Sequence, residues 1–296
     1  DDYMVYGICD IKKNRRGFVM KLPARLMTIA GAASGGSAGI QADLKTFQEL
    51  DVYGMSILTA IVGRHPKTDK NVHVLTIEAI EAQFDTAMKQ VGADALKTGM
   101  LFSKEIIERV AELIKEANIP NIVVDPVMVG KLDSKLLADD AIEALISTLI
   151  PQATIITPNM PEASVLLNDR PLTSVDDLKQ AAIDIHKLGC QYVLVKGGRL
   201  EGPAVDVLYD GKTLTTFEAP RIDTVNTSGA GCSYSAAIAA YLGKGHSVVE
   251  AVRLAKTFVT TAIEYGFSYN DYVGPTYHAA MRNFGEAHQI KVESSS

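Results

Sequence analysis

The sequence predicts an α/β domain built on a mainly parallel central sheet, with helices on both faces and a small β-rich edge. Three observations carry this. Short continuous apolar runs alternate along the chain with longer segments whose apolar positions recur every three or four residues. The apolar runs lack the polar alternation of a half-solvated sheet, as strands covered on both faces do. One tight polar turn, Tyr209-Asp210-Gly211-Lys212, joins two strand-like runs and reads as a hairpin at one edge.

In order, the buried-strand runs fall at residues 26–30, 56–62, 122–124, 154–157 and 192–195. Helical periodicity covers 42–50, 77–91, 104–116, 138–149, 175–187 and 248–264. The helix at 175 has a Thr173-Ser174 cap and two acids, Asp176 and Asp177, in its first turn. The hairpin arms are 205–208 and 214–217. No linker and no internal repeat interrupts the pattern, so 20–292 reads as one domain. Residues 1–19 read as an N-terminal extension, of upstream or added origin, ahead of a natural start at Met20. Residues 293–296 read as a loose C-terminal tail.

Bulk composition narrows the function classes. The chain has 296 residues, 47% hydrophobic and 22% charged, which is enough for one full core. A formal net charge of −6 gives no reason to propose nucleic-acid or membrane binding. No run approaches the roughly 18 apolar residues of a membrane span, and no signal-peptide pattern is present. Cys9, Cys190 and Cys232 are odd in number and far apart, which points to a reducing compartment and a cytoplasmic location. Six scattered histidines form no metal pattern.

The most informative stretch is Asn226-Thr227-Ser228-Gly229-Ala230-Gly231-Cys232, a small-residue turn running into a helical pattern. Unpaired N–H groups at such a junction attract anions, and small residues let a phosphate come close. Cys232 at the helix entrance would have a lowered thiol pKa and accept a proton. An ordinary loop–helix junction with a buried Cys remains the alternative on this stretch alone.

In open α/β sheets, ligands sit beyond the carboxyl ends of strands. Asp125 follows the run at 122, Asn159 and Glu162 follow the run at 154, and Lys196 with Gly197 and Gly198 follows the run at 192. Asp125 and Glu162 suit magnesium, which takes carboxylate oxygens and keeps several waters. Lys196 suits phosphate as a compact cation. Taken singly each is a plain loop residue; their joint position favours phosphoryl transfer. After the first strand, Gly31, Gly35, Gly36 and Gly39 make a loop, expected to be flexible, against which a flat ligand can lie.

These residues resemble a known family. Gly39-Ile40-Gln41-Ala42-Asp43-Leu44-Lys45-Thr46-Phe47 is similar to the N-terminal signature of the hydroxymethylpyrimidine (phosphate) kinases, in the ribokinase-like superfamily. Five further motifs follow in the family's order: Lys97-Thr98-Gly99-Met100, Val124-Asp125-Pro126-Val127-Met128, Thr157-Pro158-Asn159, Val195-Lys196-Gly197-Gly198 and Gly229-Ala230-Gly231-Cys232. Within it the chain looks most like the pyridoxal kinases of Gram-positive bacteria, through 46–55, 58–62 and Asn270-Asp271-Tyr272-Val273-Gly274-Pro275. Arg64 replaces a pyrimidine-holding Gln of the true pyrimidine kinases, which favours pyridoxal.

The resemblance implies a cytoplasmic kinase that uses ATP and magnesium to phosphorylate the 5′-hydroxyl of pyridoxal, with pyridoxine and pyridoxamine as co-substrates and a homodimer as the assembly. A hydroxymethylpyrimidine or hydroxymethylpyrimidine-phosphate kinase of thiamin synthesis is the alternative. A non-catalytic binder of such compounds is a third reading.

The resemblance also implies residue roles. Cys232, Gly229, Ala230, Gly231 and Lys196 would be catalytic, with Cys232 standing where most of the superfamily has an aspartate base. Asn159, Glu162, Lys196, Gly197, Gly198, Arg199, Leu200, Asp206, Gly231 and His246 would serve ATP. Gly31, Ala38, Asp43, Val62, Arg64, Met100 and Val127 would line the substrate, and Asp125 and Glu162 would hold the metal. Residues 131–136 would form a lid. Ala33, Ser228 and Gly130 depart from the usual Asp, His and second Cys.

Overall fold

The computed structural model describes residues 11–13, 17, 19–63, 67, 71–129 and 136–295. Strands β1 (Ile11–Lys13) and β2 (Val19–Lys21) pair antiparallel, apart from the main sheet. This pairing crosses the expected boundary of the extension at residue 19. The expected turn at 14–16 lies outside the described residues.

The main sheet has ten strands: β3 (Arg25–Ala33), β4 (Tyr53–Val62), β5 (Val72–Val74), β6 (Ala95–Thr98), β7 (Ile122–Val124), β8 (Ile155–Ile156), β9 (Tyr192–Lys196), β10 (Ala204–Tyr209), β11 (Leu214–Ala219) and β12 (Lys291–Ser295). Their spatial order is β12-β11-β10-β9-β8-β7-β6-β3-β4-β5. The block from β9 through β4 is parallel, and both margins are antiparallel. The predicted hairpin is β10–β11. Asp210 Oδ1 accepts from Lys212 N at 2.8 Å and Thr213 N at 2.6 Å, and Gly211 supplies φ +94°.

The tail reading of 293–296 is corrected by β12, which pairs with β11 from Glu218↔Lys291 to Leu214↔Ser295. An edge strand needs only main-chain partners, so its polar composition hides it from an apolar-run reading. Thr215 and Ser294 add a hydroxyl–hydroxyl contact of 2.9 Å.

Helices cover both faces. On one lie α2 (Ile77–Gln90), α3 (Lys104–Ala117), α4 (Asp139–Ala144) and α6 (Val175–His186), whose apolar residues join one core with Met27, Ile29, Leu96 and Val124. On the other lie α1 (Gly39–Glu49), α7 (Ala230–Gly243) and α8 (Val248–Glu264), packed on Leu26, Ala95, Val123 and Leu194. Adjacent strand residues thus point to opposite cores, as the pleat requires.

Local chemistry sets the ends. Ser103, Ser174 and Ser247 cap α3, α6 and α8 by accepting from the N–H three residues on. Helix α7 is buried from Ser233 to Gly243 and rich in Ala, which lets it lie close to the sheet. Two shorter helices, α5 (Met160–Leu166) and α9 (Ala280–Phe284), complete the fold.

Candidate active site

The site lies where the chain reverses direction across the sheet. Strand β3 is flanked by β4 on one side and β6 on the other. The connections that leave β3 toward β4 and β6 toward β7 therefore part beyond the strands' carboxyl ends, leaving a crevice.

One wall is the start of α7. Gly229 caps it at φ +82°, and any Cβ there would collide with the Ser37 carbonyl. Ser228 Oγ donates to Ser37 Oγ at 2.9 Å, so the starts of α1 and α7 are clamped together. Ala230 N–H bonds Thr227 O at 3.1 Å and Ser233 N–H bonds Gly229 O at 2.9 Å. Between them, the N–H groups of Gly231 and Cys232 have no acceptor among the described residues. This is the orphan-donor geometry expected of a phosphate seat. Lys196 Nζ stands 3.6 Å from the position of a Cβ on Gly231.

Buried charge surrounds this seat. Asp125 leaves the end of β7, 3% exposed. Its Oδ1 accepts from Lys196 Nζ at 3.4 Å and Thr157 Oγ1 at 3.3 Å, and its Oδ2 from Ser235 Oγ at 3.0 Å. Asn159 caps α5 in a reciprocal box: Glu162 N donates to Asn159 Oδ1 and Asn159 N to Glu162 Oε2, both at 2.9 Å. Burial, opposed by Lys196 and reinforced by Asp125, pushes the Glu162 carboxyl up to about 8. Burial disfavours the charged Lys196 ammonium, but Asp125 and Glu162 prevail and raise it.

The residues fit magnesium. Of these two buried acids, Asp125 helps to raise the Glu162 carboxyl, and a divalent cation relieves that. Their hard oxygens are the ligands magnesium takes. Among the described residues no group of three or more His, Cys, Asp or Glu could hold a metal ion.

Cys232 is half-buried. Its expected low pKa is corrected: the thiol is raised, first by burial, with Asp43 and Asp125 adding to it. Lys97 and the Gly39 N–H oppose the rise without overcoming it. Cys190 is buried and its thiol is pushed up to about 11 by burial, as an inert cysteine should be.

On the substrate side, Gly31 ends close to Val62 and Phe102, and a Cβ on it would stand 3.1 Å from the Phe102 ring. Val62, Met100, Phe102 and Val127 are half-buried and give the crevice an apolar margin. Phe102, which sequence reasoning missed, holds φ +69°. Ala38 caps α1 without a side-chain bond. The expected flexibility of residues 31–39 is corrected. Ala33 N donates to Gln41 Oε1 at 2.8 Å and Lys45 Nζ to Gly36 O at 2.7 Å, so α1 holds its own entry loop.

Asp43 is not a direct substrate contact. It is fully buried, its Oδ1 accepting from Lys97 Nζ at 2.6 Å and its Oδ2 from Thr28 Oγ1 at 2.6 Å. Arg64 and residues 131–135 lie outside the described residues.

The loop expected to serve the nucleotide follows β9. Gly197 N donates to Asp206 Oδ1 at 3.0 Å, and Gly197 lies so close to the Val205 carbonyl that no side chain fits. Gly198 and Arg199 are exposed and Leu200 is buried. Arg221, also missed, holds this loop through the carbonyls of Gly198, Leu200 and Gly202. Asp206 itself is corrected from ligand contact to support. It is 4% exposed, and its Oδ2 accepts from Lys256 Nζ at 2.6 Å and Tyr234 OH at 3.0 Å.

His246 is likewise corrected. It follows the far end of α7, about 20 Å from the phosphate seat at 1.5 Å per residue. A Cβ on Gly243 would meet Leu26 and Ala95, at the amino ends of β3 and β6. His246 packs edge-on against Tyr241 instead, with centroids 5.5 Å apart.

Known proteins share this sequence and this fold. The family described as phosphomethylpyrimidine kinase matches residues 33–277. A pyridoxine kinase of Bacillus subtilis is 50% identical over 262 residues, spanning 87% of this chain and 97% of its own. A hydroxymethylpyrimidine/phosphomethylpyrimidine kinase of the same organism is 42% identical, spanning 87% and 96%. The pyridoxal kinase from Staphylococcus aureus, solved with AMP-PCP and pyridoxal, superposes with a TM-score of 0.82 at 41% identity, covering 92% of this chain and 99% of its own. By sequence along most of its length and by fold, the chain belongs to the phosphomethylpyrimidine kinase family.

Proposed function

We propose that this protein transfers the γ-phosphoryl group of ATP to the 5′-hydroxyl of pyridoxal, giving pyridoxal 5′-phosphate and ADP, with pyridoxine and pyridoxamine as co-substrates. The observation that carries this reading is one crevice holding the Cys232 thiol, the free N–H groups of Gly231 and Cys232, and Lys196 beside Asp125. The solved relative with AMP-PCP and pyridoxal supports the same pair of substrates.

Phosphoryl transfer builds charge on the phosphoryl oxygens, and positioned donors stabilise it. The Gly231 and Cys232 N–H groups and Lys196 are those donors. The substrate oxygen bonds to phosphorus as the bond to the β-phosphate oxygen breaks, and ADP leaves with that electron pair. The hydroxyl proton passes to the Cys232 sulfur. Because the thiol is raised, only a small fraction is thiolate at neutral pH. A loose transition state leaves proton transfer late, so this fraction suffices. Asp125 and Glu162 would hold magnesium, which neutralises phosphate charge when bound. Val62, Met100, Phe102 and Val127 give the aromatic ring an apolar seat.

A second reading, phosphorylation of hydroxymethylpyrimidine or its phosphate, is favoured by the 42% identical relative. ADP release measured with ATP, magnesium and either pyridoxal or hydroxymethylpyrimidine decides between them. A higher kcat/KM for the pyrimidine would overturn the pyridoxal assignment. Failure with every hydroxymethyl heterocycle would leave only a binding role. The expected homodimer draws support from apolar side chains exposed on β4 and β5, Tyr53, Ile61 and Val74, and is read by light scattering.

A further inference from the structure

A buried ion pair ties α1 to β6. Lys97 and Asp43 are both fully buried, with Nζ and Oδ1 2.6 Å apart. Asp43 stands four residues after Gly39 on α1, hence on the same helix face. The start of α1 lies against the turn that carries Cys232: Ser37 Oγ accepts from Ser228 Oγ at 2.9 Å, and Ala38 Cα stands 3.4 Å from where a Cβ on Gly229 would be. The pair therefore anchors, one turn in, the same helix whose start is clamped to the Cys232 turn. Lys97 is the sole charged residue of β6, on a strand between two hydrophobic layers. Burying a charge at the sheet centre is costly and gives no stability over an apolar pair of similar volume, so a role beyond packing is indicated.

We propose that Lys97 and Asp43 are positioning residues for Cys232: the pair fixes the start of α1 against the Cys232 turn and turns its ammonium end toward the thiolate that forms. This rests on the reading of Cys232 as the proton acceptor. Four charged groups face Cys232. Lys97 on β6 and Lys196 at the end of β9 favour its anion; Asp43 on α1 and Asp125 after β7 oppose it. Lys97 acts on the thiol more strongly than Asp43 does, so the pair as a dipole favours the anion.

The test is the pH dependence of Cys232 alkylation by iodoacetamide, read on its own peptide by mass spectrometry so that the other two cysteines do not interfere. Asp43→Asn leaves Lys97 uncompensated, and its alkylation midpoint falls by about one pH unit. Lys97→Met leaves the carboxylate alone, and its midpoint rises by about as much. The double variant keeps a neutral pair of similar shape, folds where a single variant does not, and has a midpoint slightly above the parent. That order, Asp43→Asn lowest and Lys97→Met highest, supports the proposal. Unchanged midpoints in the double variant and in whichever single variants retain the parent circular dichroism would overturn it. A merely structural pair would move thermal stability and leave the midpoints alone. If Cys232→Ala retains full turnover while the order holds, the proton-acceptor reading falls and the tuning of the thiol stands.

Discussion

Lys196 Nζ lies 3.4 Å from Asp125 Oδ1 and 3.6 Å from where a methyl group on Gly231 would stand. One ammonium thus serves both the carboxylate and the phosphate seat. Lys196→Met should cut turnover by about two to three orders of magnitude, the usual cost of losing one transition-state donor. Two glycine variants separate folding from chemistry. Gly231→Ala meets only ordinary contact and gains helix propensity, so its melting temperature should hold or rise while the methyl blocks the seat and activity falls. Gly229→Ala collides with Ser37 at φ +82° and should lower the melting temperature. Steady-state kinetics beside thermal melts check all three; an active Gly231→Ala would remove the seat from the mechanism.

Cys232→Ala should lower kcat by about 10²–10⁴-fold, the typical contribution of a proton acceptor. Nucleotide affinity should be nearly unchanged, because the substitution leaves the backbone N–H of that position in place at the helix start. The raised thiol adds a signature in pH. The thiolate fraction of the parent grows as pH rises toward a pKa above the usual cysteine value, so kcat climbs between pH 7 and 9. The variant's profile should be flat over this range. A parallel slope in both proteins would assign the base elsewhere.

Glu162 gives magnesium binding a pH dependence. With its carboxyl at about 8, the free protein holds a proton there at neutral pH, and binding a cation expels it. Apparent affinity for magnesium with nucleotide should rise from pH 6 to 8 and level off above. Calorimetry in buffers of different ionisation enthalpy should register the released proton. Glu162→Gln keeps a side-chain oxygen for the Asn159 N–H and should abolish the pH slope along with most of the affinity. An affinity constant across this range would exclude Glu162 as a ligand.

Much of this site was legible because strand ends are marked by abrupt changes from apolar runs to single polar residues. Asp125, Glu162 and Lys196 were found that way, and Gly229 from a small-residue turn running into a helical pattern. What escaped was polar chemistry inside elements. Strand β6 is four residues long and half polar, so no apolar run marks it as a strand. Helix α5 is short and opens on Met160-Pro161, below the length at which periodicity registers. The Cys232 thiol was misjudged because a helix start was weighed without the burial, and the Asp43 and Asp125 carboxylates, that only tertiary packing brings to it. Asp206 and His246 were assigned through the family resemblance. The partners that bury one, Lys256 and Tyr234, and the helix length that removes the other, become visible only in three dimensions.

Lys256 and Asp206 test how the loop after β9 is held. Lys256→Met leaves the Asp206 carboxylate buried with only the Tyr234 hydroxyl and the Gly197 N–H as donors. Removing one partner of a buried pair costs about 3–5 kcal/mol, far more than a surface pair would. Urea unfolding should register this loss. In the surviving native fraction the KM for ATP should rise more than kcat falls, because the carboxylate orients the Gly197 loop and touches no reacting atom. The reverse split would make Asp206 a participant in chemistry.

His278 offers an acid-stability test beside the start of α7. It is 7% exposed, its Nε2 lies 2.8 Å from Ser233 Oγ, and burial with Lys45 nearby lowers its pKa to about 4, Glu49 opposing. In the unfolded chain the imidazole titrates near its usual 6.5. Between these values the unfolded state binds the extra proton, so stability falls as pH drops from about 6.5 to 4 and is unaffected above. The full window corresponds to at most about 3 kcal/mol, at 1.36 kcal/mol per unit. His278→Gln can still meet the Ser233 hydroxyl and carries no such proton. Its urea midpoints at pH 7 and pH 5 should therefore lie closer together than the parent's. Equal separations in the two proteins would mean that His278 is already protonated, or accessible, in the native state.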